Sequence, residues 1–190
     1  IFKLRDETNE AKYPIKPVLQ SVLADAFWQY FQNNRWKFYN RTTTVNFKND
    51  DIETWDLKAI TYAVISNYKA SLANSDSLKH TKVDIYDDII DKGTTECRAW
   101  RPTLYDFLAH RALGFLMNSE PDVARPANRF TVNSDDYLKP YVDFVNFSIN
   151  NPSDSLETKY YALNIMKDLT VFHKNDATPN ALIDIELLRL

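Results

Sequence analysis

The stretch RPTLYDFLAHRALGFLMN, residues 101–118, contains the clearest helical pattern of the chain. Its apolar side chains recur every three or four residues, the spacing that places them along one side of an α-helix. The stripe consists of Leu104, Phe107, Leu108, Ala112, Phe115 and Leu116. We therefore predict a helix over 102–118 that packs this stripe into a core.

The same periodicity predicts four further helices, over 17–33, 51–73, 83–91 and 154–174. Asp50, followed by Glu53 three residues later, resembles a capping box at the start of the second of these helices. A last helical pattern covers 181–190, and the aromatic segment 137–147 fits either a helix or a strand. The residues predicted to form the core are Phe107, Leu108, Phe115, Tyr161, Ile165 and Leu169.

Glycine and asparagine usage favours the same fold class. Two glycines in 190 residues are too few for the tight turns of an all-β protein or for a phosphate-binding loop. The chain has 17 asparagines, and we expect those at the ends of helical patterns to adopt the left-handed conformation that glycine usually supplies. These are Asn33, Asn74, Asn118 and Asn175.

The predicted fold is all-α with little or no β-structure. Two short echoes indicate repetition of helical units. Ser75-Asp-Ser-Leu78 recurs as Ser153-Asp-Ser-Leu156, and Phe115-Leu-Met-Asn118 with Pro121 recurs as Phe172-His-Lys-Asn175 with Pro179. We predict stacked antiparallel helical hairpins, an irregular superhelix similar to tetratricopeptide repeats, in one domain over 1–190. The chain begins at Ile1 without an initiator methionine, and we expect it to be a fragment of a much longer multidomain protein.

Composition disfavours several function classes. The net charge of −3 is unsuited to non-specific nucleic-acid binding, which needs an excess of lysine and arginine. No apolar run approaches 18 residues, so no direct membrane span is predicted. His80, His110 and His173 lie far apart, and the lone Cys97 is expected to be a half-buried structural thiol. We predict a protein that is not an enzyme and that uses no cofactor and no metal.

Four aspartates over 84–91 are spaced so that a helix would place them on one face: Asp84, Asp87, Asp88 and Asp91. We interpret this face as solvated, opposite buried side chains of Ile85, Ile89 and Ile90. The alternative, which stays open, is a surface that binds a cation or a basic partner.

The aromatic stretch WQYFQNNRWKFYNRT, residues 28–42, fits either a ligand platform or a packed helix end. Tyr30 and Phe31 extend the apolar stripe of the helix over 17–33, so packing is favoured. The residues after the Asn33-Asn34 break are predicted to return over the helix end. A possible partner surface in this segment consists of Arg35, Trp36, Tyr39 and Arg41.

Five blocks along the chain resemble the helical N-terminal region of large bacterial alpha-2-macroglobulin-family proteins. The blocks are WQYFQNNRWKFYNRT (28–42), NDDIETWDL (49–57), RPTLYDFLAHRAL (101–113), KYYALNIMKDLTVFHKND (159–176) and ALIDIELLRL (181–190). The resemblance implies a periplasmic or cell-envelope protein that traps proteases, with lipid anchoring through the parent protein. Its partners would be downstream domains of the same chain, proteases or envelope proteins.

The resemblance brings no catalytic residue to this chain. Cys97 is followed by Arg98-Ala99, whereas the thioester of many family members needs Cys-Gly-Glu-Gln. The expected function is a non-catalytic helical scaffold or interaction module. The alternative functions are a stand-alone helical envelope domain that binds glycan or peptide through exposed aromatics, and an all-α hydrolase.

The repeated Asp-Ser-Leu triplets also resemble acceptors of bacterial O-glycans, which would be attached to Ser77 and Ser155. The alternative explanation is helix capping, because aspartate and serine are preferred N-cap residues and both triplets lie where a helical pattern begins. Both interpretations stay open, with capping preferred.

Overall fold

The computed structural model describes residues 1–39, 50–91, 93–94, 96–118, 130, 132, 135–150, 152 and 156–190. Most of these residues lie in helices, and among them no strand forms, which confirms the all-α class. Their only sheet-like contact is one isolated antiparallel bridge between Lys82 and Thr103. The stacking of hairpins into a superhelix stays a prediction.

The described chain divides into two compact units. The first is built on Ile1–Ala73, with helices α1 (Phe2–Glu10), α2 (Ile15–Asn33), α3 (Arg35–Tyr39) and α4 (Leu57–Ser71). Helix α2 is central to this unit, because α1, α3 and α4 all pack against it. The core side chains between α2 and α4 include Leu23, Phe27, Phe31, Ile60, Val64 and Tyr68.

The second unit comprises Asn74–Met117 and the described part of Asn128–Leu190. Its helices are α5 (Ser75–His80), α6 (Cys97–Trp100), α7 (Leu104–Leu116), α8 (Tyr141–Phe144), α9 (Thr158–His173) and α10 (Asn180–Arg189). Helix α7 packs against α5 and α9, and α10 packs against α6 and α9. Helix α9 therefore lies between two neighbours, which explains why its sequence is apolar on most sides.

The predicted helices over 17–33, 102–118 and 154–174 are present with small shifts of their ends. The helix predicted over 51–73 begins later, at Leu57, because Asp56 caps it by accepting from the amide of Ala59 at 2.8 Å. The capping box proposed at Asp50 is wrong. Asp51 instead caps a separate 3₁₀ turn, Ile52–Thr54.

The helix predicted over 83–91 is wrong beyond its first turn. Only a 3₁₀ turn, Val83–Tyr86, forms, followed by irregular turns. A full helix would place like charges four residues apart twice in this segment, which disfavours it. Ile85 and Ile89 are 57% and 75% exposed, so their predicted burial is also wrong.

The ambiguous segment over 137–147 is helical. It contains a 3₁₀ turn, Asp135–Leu138, and the short helix α8. Arg189 of α10 donates hydrogen bonds to the carbonyls of Tyr137 and Lys139, and its guanidinium lies 4.6 Å from the ring centroid of Phe144. These contacts hold the segment against α10.

The asparagines do not adopt the left-handed conformation, because no described residue other than glycine has a positive φ. Asparagine side chains act differently here: that of Asn34 donates to the carbonyl of Tyr30 at the end of α2. Such a bond occupies a helix-end carbonyl that has no partner inside the helix. Asparagine therefore contributes at this helix end through its amide group and not through backbone freedom.

Three of the six predicted core residues are buried: Leu108, Phe115 and Leu169. Phe107, Tyr161 and Ile165 are half-buried, so their assignment to the core is wrong. Phe107 lies at the edge of the α7 stripe, where the guanidinium of Arg111 approaches to 5.8 Å from its ring centroid.

Candidate functional site

A cluster of titratable side chains lies inside the second unit, where the end of α9 meets the start of α7. Its centre is His173, whose side chain is 2% exposed. The ring Nε2 lies 2.7 Å from Oδ1 of Asp106, and Nδ1 lies 2.7 Å from Oδ2 of Asp176. Both ring nitrogens therefore face carboxylate oxygens.

Asp106 also completes the cap of α7. Its Oδ2 accepts hydrogen bonds from the backbone N–H of Thr103 at 2.9 Å and from the Thr103 hydroxyl at 2.7 Å. The amide of Asp106 in turn donates to the Thr103 hydroxyl, which forms a capping box. Asp106 is only 1% exposed. Each oxygen of its buried carboxylate nevertheless has a hydrogen-bond partner, so neither is left unsatisfied.

The geometry favours the protonated form of His173. An ionised carboxylate only accepts hydrogen bonds, and imidazole can donate from both nitrogens only when it is protonated. Burial alone lowers the pKa of His173, but the hydrogen bonds and charges of Asp106 and then Asp176 outweigh burial and raise the pKa. We therefore assign His173 as an imidazolium between two carboxylates at pH values below this raised pKa.

A second histidine, which lies on α7, extends the cluster towards α10. His110 Nδ1 faces the backbone carbonyl of Asp106 at 2.8 Å. Its Nε2 lies 3.1 Å from Oδ2 of Asp184, although this contact lacks hydrogen-bond geometry. Asp184 is instead held by Arg101, whose Nε approaches Oδ2 to 2.8 Å. Burial lowers the pKa of His110, and the positive charge of Arg101 lowers it further. The hydrogen bond to the Asp106 carbonyl and the charge of Asp184 act in the opposite direction, but the pKa stays below its ordinary value.

This arrangement is suited to holding helices together. The carboxylate of Asp106 joins α7 to α9, and that of Asp184 joins α10 to the residue that follows α6. The ring of His173 is buried with both nitrogens occupied, so a substrate has no free atom of it to contact. We interpret the cluster as structural.

The thiol of Cys97 is exposed, so the predicted half-buried thiol is wrong. The side chain borders an open cleft of about 270 Å³, lined also by Thr94, Glu96, Trp100, Arg101 and Asp184. Its contacts are local: the Thr94 hydroxyl lies 3.6 Å from Sγ.

The predicted partner surface is only partly described. Arg35 and Trp36 both lie on α3 and are exposed, with Trp36 at 66%. Trp36 therefore does not cover the end of α2, contrary to the packing predicted for this segment. Phe38 does so instead: it is 3% exposed and lies 5.4 Å, between ring centroids, from Phe31. The side chain of Tyr39 and all of Arg41 lie outside the described residues.

The other candidate residues have simple surroundings. Ser77 is half-buried within α5, whose N-cap is Asn74, so Asp76 and Ser77 do not cap that helix. Ser155 lies outside the described residues, and glycosylation of both serines stays a prediction. Arg98 pairs with two members of the aspartate row, Asp87 at 2.6 Å and Asp84 at 3.6 Å.

The functional interpretation of the sequence missed the central cluster. His173 and Asp176 are three residues apart and so share a helix-end face, but Asp106 lies 67 residues away from His173. The spacing of Thr103 and Asp106 is typical of a helix cap and carries no sign of the histidine. A local signal existed for each half of the cluster, and none for their contact.

No group of three or more described His, Cys, Asp or Glu side chains is arranged to hold a metal ion. None of the described helices combines the length and apolar content needed to cross a bilayer. Comparison with protein-family models, curated proteins and solved structures found no match.

Proposed function

We propose that the chain is a non-catalytic helical interaction module of a bacterial cell-envelope protein of the alpha-2-macroglobulin type, which traps proteases. The exposure of Trp36 supports this proposal most directly. A tryptophan that is 66% exposed leaves a large apolar surface in water, and tryptophan and arginine are enriched among residues that dominate protein interfaces.

The base of this surface is well fixed. Phe38, two residues after Trp36, is buried against Phe31 and Tyr30, with ring centroids 5.4 and 6.1 Å apart. Anchoring of α3 by Phe38 reduces the entropy lost when Trp36 contacts a partner. The ammonium of Lys37 lies 5.6 Å from the Trp36 ring centroid, so the surface combines an aromatic ring with positive charge.

The family and the exported location rest on the five sequence blocks that resemble alpha-2-macroglobulin proteins. In that setting the partner of the α3 surface is a downstream domain of the same chain, an envelope protein or a protease. The buried histidine cluster fits a scaffold role, because it joins helices and both ring nitrogens of His173 are occupied by carboxylates. No nucleic acid, cofactor or metal has a part in this function.

A stand-alone domain that binds glycan or peptide is the alternative, since an exposed indole also stacks on sugar rings. A photo-crosslinking residue at position 36, in the protein produced by its native host, distinguishes the two. We expect crosslinks to another domain of the same protein, to an envelope protein or to a protease. The same residue at Val22, which is 40% exposed on α2, is the matched control.

Crosslinks to cytoplasmic proteins only, or equal crosslinking from both positions, would contradict the proposal. Retention on purified envelope polysaccharide that is lost in Trp36→Ala would support the alternative. Specific hydrolytic turnover that disappears on changing His110 or Cys97 would contradict the non-catalytic assignment.

A further inference from the structure

His110 on α7 is a buried titratable side chain whose two ring nitrogens have opposite surroundings. The side chain is 10% exposed. Its Nδ1 lies 2.8 Å from the backbone carbonyl oxygen of Asp106, one turn earlier on α7. A carbonyl oxygen only accepts hydrogen bonds, so Nδ1 has to carry a proton. The neutral form of His110 is therefore the tautomer with N–H at Nδ1 and a lone pair at Nε2.

The lone pair of Nε2 faces a carboxylate. Oδ2 of Asp184, on α10, lies 3.1 Å from Nε2, and Nε2 has no hydrogen-bond partner among the described residues. While His110 is neutral, both of these atoms are acceptors, so no hydrogen bond can form between them. A buried polar atom without a partner is rare in native structures and costs free energy. The neutral state thus leaves α7 and α10 without a link at this point.

Arg101, which follows α6, holds the Asp184 carboxylate in place. Its Nε donates to Oδ2 at 2.8 Å and its Nη2 donates to Oδ1 at 3.3 Å, a two-pronged contact typical of arginine and a carboxylate. The Asp184 side chain is 12% exposed and lines the open cleft beside Cys97. Asp184 therefore borders both the buried imidazole and solvent.

The charges around His110 come from several elements. Arg101 belongs to the segment after α6, and Asp184 belongs to α10. The Asp106 carboxylate belongs to α7 itself and pairs with His173 of α9. Helix α5, which also packs against α7, supplies none of these charges.

The balance of these effects favours the neutral form of His110. Burial lowers its pKa most, and the charge of Arg101 acts in the same direction. Together they outweigh the hydrogen bond to the Asp106 carbonyl and the two carboxylates, which raise the pKa. His110 is therefore neutral at about pH 7 and takes up a proton below its ordinary pKa near 6.5.

We propose that His110 is an acid-sensitive switch between α7 and α10, in which a proton on Nε2 converts two facing acceptors into a hydrogen bond to Asp184. The proton comes from solvent, and the imidazolium then donates from both nitrogens. The present contact lacks hydrogen-bond geometry, so the Asp184 carboxylate has to rotate. Because this carboxylate also pairs with Arg101 and lines the cleft, its rotation changes that wall of the cleft.

Imidazole ¹⁵N signals of the full chain, followed by NMR from about pH 8 to about pH 5, test this switch. At the upper end we expect His110 to carry a proton on Nδ1 and none on Nε2. Below about pH 6.5, Nε2 should become protonated, and the ¹³C signal of the Asp184 carboxylate should shift with it.

His80 is the matched control for this titration. Its Nδ1 also faces a carbonyl oxygen one turn earlier, that of Asp76 at 2.7 Å, but His80 is exposed at the end of α5. The Asp184 signal should follow the protonation of His110 and not that of His80.

Two variants separate the effect of charge from a general loosening of the fold. Asp184→Asn should lower the midpoint of the His110 titration by about one pH unit or more, because it removes a neighbouring negative charge. Arg101→Gln should raise the midpoint, because a neighbouring positive charge is lost. A loosened fold would instead raise the midpoint in both variants, since burial is what lowers it. The His80 signals should be the same in all three proteins.

A proton on Nε2 at about pH 8 would overturn the tautomer and with it the switch. The switch would also be overturned by an Asp184 signal that does not follow His110, or by an unchanged midpoint in folded Asp184→Asn. Unfolding of the second unit before His110 is protonated would overturn it as well. None of these outcomes bears on Trp36, which belongs to the first unit and is tested by crosslinking.

Discussion

Replacing His173 by alanine should destabilise the second unit strongly. The substitution removes two 2.7 Å contacts to carboxylates and leaves Asp106, which is 1% exposed, without its cation. Removing one partner of a buried ion pair typically costs about 3–5 kcal/mol. We therefore expect the free energy of unfolding to fall by about 3–5 kcal/mol at pH 6. Asp176→Asn should cost under about 1 kcal/mol, because its side chain is 39% exposed and screened by water.

The effect should depend on pH in a defined direction. The pKa of His173 is raised in the folded state above its ordinary value near 6.5. Its stabilising contribution is therefore fully present below about pH 6.5 and is lost as the pH rises through the folded-state pKa. Between these two pKa values, the wild-type free energy of unfolding should fall by about 1.4 kcal/mol per pH unit from this group. The difference between wild type and His173→Ala should shrink over the same interval.

Urea unfolding followed by amide NMR signals of α7 and α9 measures the second unit separately from the first. Signals of α4 report the first unit. His80→Ala is the matched control, because His80 is an exposed histidine at the end of α5. A loss below about 1 kcal/mol at pH 6, or a difference that grows with rising pH, would refute the assignment of a buried imidazolium.

Two further outcomes follow from burial and exposure. Leu108→Ala should lower the free energy of unfolding by about 2–5 kcal/mol, because Leu108 is fully buried. Phe107 is half-buried, so Phe107→Ala should cost less than the loss of about 3–5 kcal/mol that is typical of a fully buried phenylalanine. Urea unfolding of both variants checks this, and a loss of about 3–5 kcal/mol or more for Phe107→Ala would contradict the edge position. Cys97 should react with a thiol reagent in the native protein as fast as after unfolding, because its side chain is exposed; protection by more than about tenfold in the native state would show that the thiol is covered.

Local sequence was sufficient where neighbouring residues determine the structure. Helix α7 follows its prediction closely because its apolar stripe and its capping box, Thr103 with Asp106, lie within the same few turns. The prediction over 83–91 is wrong because like charges four residues apart oppose the helix that the apolar periodicity favours. The ends of α4 shifted because several aspartates near its start compete as caps, and only Asp56 is used.

The sequence by itself determined the all-α class, the positions of the long helices and the aromatic character of the segment around α3. Tertiary structure alone decided which side chains meet. Asp106 and His173 come together because α7 packs against α9, a contact between residues 67 positions apart that no local pattern encodes. The same holds for α3, where Phe38 is buried and Trp36 is exposed. Both residues are equally suited to a core, and the direction from which α2 approaches α3 decides between them, because a short helix can bury only the side that faces its neighbour.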